Sequence, residues 1–213
     1  MSYRLGVDVG GTFTDLLLIN EENGQTHTAK VPSTPEDSSI GVLNGIDRIC
    51  QESGIDPKKI RRVMHGTTVA TNAVLTGKGA KVGLVTTKGY KQVLQVARSF
   101  CPGGLGGWVS FVKKPLLAPL ELTVEANERM GANGETVDTL DEAALRASLT
   151  TLKNTGQVEA LTICFINAYL NGAHEQRAKD VAAELFTDIP ISISSDLVPE
   201  MQEYERTETT VVN

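Results

Sequence analysis

The 213-residue chain is 40% hydrophobic and 22% charged, close to the globular average. No apolar run approaches the ~18 residues of a membrane span, so disordered, collagen-like and helical membrane proteins are excluded. Of 26 acidic and 20 basic residues, 17 of each precede Glu175; this leaves 9 acidic against 3 basic from Glu175 onward and gathers the net charge of −6 near the C-terminal end. A surface of that sign, with no Lys/Arg cluster interleaved with aromatics, repels phosphate backbones and makes nucleic acid an unexpected partner.

From the N-terminus, Met1-Ser2-Tyr3-Arg4-Leu5-Gly6-Val7-Asp8 meets an acid before a long apolar stretch can build. It reads as neither a secretory signal nor an Arg-rich transit peptide, and a cytoplasmic protein is expected. Leu5, Val7 and Val9 alternate with Gly6 and Asp8, the period-2 pattern of a strand. Gly10-Gly11 breaks that run, and Phe13 to Asn20 resumes it, giving a hairpin pattern. Glu22-Asn23-Gly24 marks a second turn and Thr26 to Val31 a third strand. Pro32 to Asp37 then opens a helix whose stripe of Ile40, Val42, Leu43, Ile46, Ile49 and Cys50 runs to Gly54.

Beyond it, strands are predicted at Arg61 to His65, Val82 to Thr86, Leu161 to Ile166 and Ile191 to Ser194. Helices are predicted at Thr67 to Leu75, Tyr90 to Ala97, Asp141 to Leu152, His174 to Phe186 and Gln202 to Asn213. Three meandering strands followed by helix-linked strands predict an α/β fold with a mixed sheet, antiparallel at one side and parallel where crossovers intervene. The basic knot Lys58-Lys59-Ile60-Arg61-Arg62 reads as a solvated turn, and the glycine-rich stretch from Cys101 to Pro119 as a mobile loop or insertion. Cys50, Cys101 and Cys164 are odd in number and far apart, which suits reduced thiols and no zinc site.

Asp8-Val9-Gly10-Gly11-Thr12-Phe13-Thr14-Asp15 carries the most chemical information. Paired glycines permit positive φ and close approach of backbone N–H groups to an anion, and Thr12 adds a hydroxyl. Asp8, at the end of a strand, has the donor type that holds Mg²⁺ directly or through water beside phosphates. A plain Gly-Gly hairpin turn with Asp8 bonded to it is the competing reading. No Gly-Lys-Ser/Thr follows, which excludes a P-loop, and the strand after the glycines excludes a dinucleotide fingerprint. At His65 to Leu75, a strand meeting a helix places Thr67 or Thr68 at an N-cap with Asn72 one turn on, a polar lip suited to an anion or polar substrate. Capping alone would also account for those threonines.

The strand-turn-strand-turn-strand-helix order of residues 4–53 resembles the first, ribonuclease-H-like lobe of the actin, Hsp70 and sugar-kinase superfamily, an actin-like ATPase fold. More narrowly, Gly6 to Asp15 and His65-Gly66-Thr67-Thr68-Val69-Ala70-Thr71-Asn72-Ala73 resemble the N-terminal region of the hydantoinase/oxoprolinase A-subunit family. Gly83 to Tyr90, Arg98, Glu128-Arg129-Met130, Asn167 to Asn171, His174-Glu175 and Glu203 to Thr207 continue the resemblance along nearly the whole chain.

The resemblance implies one N-terminal domain over residues 1–213, with an insertion or mobile loop at about residues 100–140. It also implies ATP-dependent attack on an amide or carbonyl: ring opening of hydantoins, 5-oxoproline or lactams, or carboxylation of ketones. ATP and Mg²⁺ are the implied cofactors. Asp8 is the implied metal position, Gly10, Gly11, Thr12, Thr14, Thr67 and Thr68 the phosphate contacts, and Asp15, His65 and Asn72 further catalytic-cleft residues. The implied partners are the remaining C-terminal lobe, a B-type subunit and a small cyclic-amide or ketone substrate, with the acidic C-terminal end a candidate junction.

Departures stand at Gln92, where the family commonly has Asp, at Gly172-Ala173, where it has Pro, and at residues 101–110, which lack the Arg-Pro and Tyr-Asp elements of oxoprolinases. A sugar-kinase-like phosphotransferase and a non-catalytic nucleotide-binding or docking module are the rival readings. Arg98 reads equally as a pocket border or a surface ion pair, Lys88 as facing phosphate or simply water, and Glu203, Arg206 and Thr207 as one face of an ion-pair lock.

Overall fold

In the computed structural model, which describes residues 2–99, 106–107 and 115–213, the alternation of Leu5, Val7 and Val9 becomes β1 (Tyr3–Val9). β2 (Phe13–Asn20) and β3 (Thr26–Pro32) complete an antiparallel meander, and β4 (Ile60–Thr67) pairs parallel to β1, giving the order β3-β2-β1-β4. Leu5, Val7, Val9, Leu16, Leu18, Ala29 and Val31 point to one face and are buried with Ile49 and Cys50 of helix α1 (Ser38–Ser53). Each fully buried Leu or Ile there contributes roughly 1.5–3 kcal/mol.

Helix α1 starts at Asp37, whose carboxylate accepts the Ser39 N–H at 2.9 Å, and stops at left-handed Gly54. Gly45 lets it lie on the sheet, because a Cβ there would sit 2.3 Å from Leu16 Cδ1. Helix α2 (Val69–Thr76) follows β4 and ends at left-handed Gly77. These elements form the first of two compact units, Met1–Gly79 and Ala80–Asn213.

The second unit is built on a parallel sheet of order β10-β9-β5-β6: β5 (Val82–Thr87), β6 (Thr123–Ala126), β9 (Ala160–Cys164) and β10 (Ile191–Ile193). A short hairpin of β7 (Arg129–Met130) and β8 (Thr136–Asp138) lies between β6 and helix α4 (Glu142–Asn154). Helices α3 (Val93–Val96), α5 (Ala173–Leu185), α6 (Ser194–Leu197) and α7 (Glu203–Val212) complete it. All six residues of β5 are buried, as a parallel strand covered on both faces requires. Val85, Leu161 and Ile163 pack with Leu145, Leu149 and Val181 of α4 and α5, while Leu84 and Cys164 pack with Leu94 of α3 and Val211 of α7.

The mixed α/β reading holds, with the predicted strands distributed over two sheets. The meander is amphipathic and needs cover on one face only; the helix-linked strands Val82–Thr87 and Ala160–Cys164 are apolar on both faces and pair with each other. Lys58-Lys59 do lie in a short 3₁₀ turn, but Ile60, Arg61 and Arg62 belong to β4. The expected helix over residues 90–97 is reduced to Val93–Val96.

Cys101 and most of the glycine-rich stretch lie outside the described residues. Within residues 100–140, Thr123–Ala126 is a strand of the second sheet. Cys50 and Cys164 are free and buried, and burial pushes both thiols up. Among the described residues no helix is long and apolar enough to cross a membrane.

Candidate functional site

The β1–β2 turn is held from beneath by a residue that sequence reasoning did not single out. Ser33 Oγ donates to Gly10 O at 2.8 Å, lies 3.0 Å from Thr14 Oγ1, and its N–H donates to Thr12 O at 2.9 Å. Gly10 closes the turn by donating its N–H to Phe13 O at 3.0 Å. Neither Gly10 nor Gly11 takes the left-handed conformation allowed for in the sequence. Their need for glycine is steric instead: a Cβ on Gly10 would meet Phe13 O at 2.9 Å, and one on Gly11 would meet Asn72 Nδ2 at 3.0 Å. The N–H groups of Gly11 and Thr12 carry no hydrogen bond among the described residues.

That second distance brings α2 against the turn. Thr68 N–H donates to Val9 O at 3.2 Å, Asn72 Nδ2 donates to Thr68 Oγ1 at 3.2 Å, and Thr67 Oγ1 accepts the Val69 N–H at 3.2 Å. Thr68 occupies the N-cap position without a side-chain capping bond. Thr67, Thr68 and Asn72 lie together at the start of α2, and the structure adds Gly11 beside them.

Cross-strand register arranges the carboxylates. Asp8 lies opposite Asp15 on β2 and Gly66 on β4, and Asp15 lies opposite Lys30 on β3, so the row Lys30, Asp15, Asp8, Gly66 crosses the open face of the sheet. Directly opposed Cβ atoms are about 4.5–5.5 Å apart, which sets two like charges side by side. Lys30 Nζ relieves one of them, 3.0 Å from Asp15 Oδ1, and sits 5.0 Å above the Phe13 ring. Asp8 is exposed and has no ion-pair or hydrogen-bond partner among the described residues. Gly66 leaves room beside it, since a Cβ there would come only to 3.8 Å from Asp8 Oδ1. With side-chain-free Gly6 at its floor, this face forms a concavity of about 820 Å³ bordered by Asp8, Asp15, Leu17, Lys30 and Met64.

One expected contact lies elsewhere: Thr14 is fully buried on the opposite face, bonded to Ser33, so it supports the turn and does not reach the open face. His65 is exposed on β4 and borders the concavity, in register with Val7 and one residue before Gly66. Lys30, Ser33, Gly6 and Gly66 are the additions; only their register against Asp8 and Gly10 reveals them.

Two motif residues of the second unit, Glu175 and Arg206, are buried and bonded within the fold. Glu175 is fully buried and accepts hydrogen bonds from Phe165 N–H, Ser194 Oγ and Ser195 N–H, each at 2.7 Å. Burial pushes its pKa up against those three bonds. Arg206, also buried, donates to Ser194 Oγ at 3.1 Å, Glu200 O at 2.9 Å and Phe165 O at 2.6 Å, and stands 3.7 Å from Glu203. This is the lock expected on the last helix. Arg98 pairs with Glu205, the surface ion pair that was one of its two readings.

These features define a mixed α/β protein whose first unit presents a glycine turn beside a helix N-terminus and, on the open face of the same sheet, a carboxylate with no ion-pair partner among the described residues. Residues 4–186 match the hydantoinase/oxoprolinase N-terminal region, and the chain belongs to that family. It is 34% identical over 99% of its length to the caprolactamase subunit alpha of Pseudomonas jessenii. The crystal structure of that ATP-dependent caprolactamase superposes with a TM-score of 0.84, at 33% identity over 99% of this chain. Identity to the acetophenone carboxylase gamma subunit of Aromatoleum aromaticum is 31% over 98%. A nucleotide-free acetone carboxylase superposes with a TM-score of 0.88 at 25% identity over 98%. The chain spans 30–31% of the length of each of these proteins.

Proposed function

We propose that this chain is the nucleotide-phosphate-binding N-terminal region of a longer, ATP-dependent cyclic-amide hydrolase subunit. The observation that carries the reading is the convergence of the Gly10-Gly11 turn and Asn72, with Gly11 so close to Asn72 Nδ2 that a Cβ would lie 3.0 Å from it. Around them, the Gly11 and Thr12 N–H groups have no partner among the described residues, a donor arrangement that suits phosphate oxygens. The likeness to caprolactamase supports the amide class.

The residues present fit Mg·ATP. Asp8 and Asp15 stand opposite each other on adjacent strands, the donor type of a Mg²⁺ position, where one or two carboxylates join phosphates and water. Asp8 would hold the ion, with Asp15 beside it, and Gly10, Gly11, Thr12, Thr67, Thr68 and Asn72 would hold phosphates. Bound Mg·ATP would supply a phosphoryl group able to convert an amide oxygen into a leaving group. The chain's own contribution is orientation and charge: fixed N–H donors at the turn, and a carboxylate kept free because Lys30 engages its neighbour. The remaining lobe of the subunit and a B-type partner would complete the hydrolase, in the cytoplasm.

A ketone carboxylase is the second reading, favoured by the TM-score of 0.88 to acetone carboxylase. Assay of the full-length subunit with its partner, supplied with Mg·ATP and either a lactam or a ketone plus bicarbonate, separates the two. In the same assembly Asp8→Ala is expected to abolish ATP hydrolysis while leaving the fold intact, because the side chain is exposed and makes no hydrogen bond. Unchanged ATP hydrolysis would sink the assignment.

A further inference from the structure

The second unit has a crevice of its own, placed where its sheet topology demands one. In chain order its parallel strands are β5, β6, β9 and β10, and their spatial order β6-β5-β9-β10 reads second, first, third, fourth. The connection leaving β5 goes to one side of it, and the strands from β9 onward build on the other. In an open parallel sheet of this order, ligands bind outside the carboxyl ends of the two strands where the winding reverses. Here those are the ends of β5 and β9.

Both ends are fixed by buried polar bonds. Ile166 N–H, just past β9, donates to Thr87 Oγ1 at 3.0 Å; Thr87 in turn donates to the buried carboxylate of Glu128, whose other oxygen lies 2.8 Å from His174 Nδ1. Asn167 turns the chain with φ 59° and donates its N–H to Glu203 Oε1 at 3.4 Å. Past the end of β5, between α3 and the start of α7, opens a crevice of about 600 Å³, lined among others by Tyr90, Val93, Arg98, Glu203, Tyr204 and Glu205, with Glu203 tied to the end of β9 through Asn167. That volume lies within the ~300–1,000 Å³ of small-molecule sites. Two lining residues, Ala97 at φ 51° and Gln202 at φ 85°, hold backbone conformations that non-glycine residues rarely adopt, strain of the sort that collects at ligand sites.

The lining sets the ligand's charge. Each carboxylate already has a guanidinium: Arg98 pairs with Glu205, and Arg206 stands 3.7 Å from Glu203. No cation among the described lining residues is left for an anionic ligand. Val93, Val96 and the two tyrosine rings offer apolar surface. The Tyr90 hydroxyl accepts from Arg129 at 3.5 Å and so keeps its proton to donate to a carbonyl oxygen, while Glu203 accepts an amide N–H. We infer that this crevice binds a small neutral cyclic amide, with Tyr90 on its carbonyl and Glu203 on its N–H. The ligand class rests on the amide reading above; the placement of the crevice does not.

Titrations of the ¹⁵N-labelled 213-residue chain with 2-piperidone, cyclohexanone and 5-oxoproline test the inference. Saturable shifts are expected at Gly89, Tyr90, Val93, Asn167 and Glu203 with 2-piperidone. Cyclohexanone, lacking the N–H, should bind about fivefold weaker or worse, and anionic 5-oxoproline should not saturate. Tyr90→Phe should weaken 2-piperidone roughly tenfold with the spectrum otherwise retained, and Val93→Trp should block it. Absence of saturable shifts at these residues, equal binding of 5-oxoproline, or undiminished binding to a folded Val93→Trp chain would overturn the proposal. A parallel Mg·ATP titration read at Gly10 to Thr12 keeps the two readings apart. Piperidone binding without nucleotide shifts refutes the phosphate site alone, and the reverse refutes the crevice alone.

Discussion

Gly10 and Gly11 are adjacent and alike in sequence, yet the structure gives them different tolerances. A Cβ at Gly10 would approach backbone Phe13 O to 2.9 Å, against the oxygen that also accepts the Gly10 N–H at 3.0 Å. Gly10→Ala must therefore open its own turn, losing about 1 kcal/mol for the hydrogen bond and about 1–3 kcal/mol for the overpacked contact. At Gly11 the nearest atom is Asn72 Nδ2, at 3.0 Å, the tip of a side chain whose one bond is to Thr68 Oγ1. That tip can swing aside, and the smaller conformational entropy of the unfolded chain once a glycine of compatible φ is replaced, worth about 0.4–1 kcal/mol, offsets the lost bond. Amide hydrogen exchange of Leu5, Val7 and Leu16 reads the first unit's stability directly. Gly10→Ala should speed it by roughly thirtyfold or more, the equivalent of about 2 kcal/mol; Gly11→Ala should leave it within about threefold while displacing Asn72 from the lip. Equal destabilisation by both variants would refute this steric account of the turn.

Three further outcomes follow from the second unit. Burial raises the folded-state pKa of Glu175 above its ordinary 4.5. Its contribution to stability is therefore greatest below the unfolded value and is lost as pH rises through the folded one; urea titrations from acid to neutral pH should show that fall flattened in Glu175→Gln. Arg206→Met leaves Glu200 O without its donor and Phe165 O with the Ala168 N–H alone, and a loss of roughly 3 kcal/mol is expected in urea unfolding, as for buried acceptors stripped of their donor. The Tyr204 phenol, hydrogen-bonded to Glu208 and partly buried, is pushed up to about 12; in Glu208→Gln, ultraviolet titration should show one tyrosine returning toward its ordinary 10.0.

Much of this was legible in the residues, for reasons that can be named. β1 to β3 and α1 announce themselves because each buries one face only, so their apolar residues recur at period 2 or as a helical stripe. The polar lip was legible because Gly10-Gly11 and Thr67 to Asn72 each lie within a few residues of a strand end. β6 was not: Thr123-Val124-Glu125-Ala126 has four residues and a carboxylate, and only pairing with β5 makes it a strand. Lys30 and Ser33 were equally silent. Nothing local marks them, and their roles come from register, Lys30 opposite Asp15 and Ser33 beneath Gly10.

The same register divides the motif residues by chemistry. Acids on the open face of a one-side-covered sheet, such as Asp8, keep their charge facing solvent and are available to a cation. Acids buried beside a sheet covered on both faces must be satisfied within the protein, as Glu175 on α5 is by two N–H groups and a hydroxyl, and Glu128 in the β6–β7 loop by Thr87 and His174. Sequence alone presents all of them as motif carboxylates. Their burial shows that Glu175 and Glu128 fix strand ends in place, which is the condition for the β5/β9 crevice to keep its shape, whereas Asp8 holds nothing in the fold. Asp8 is thus the carboxylate whose removal should change chemistry without changing structure.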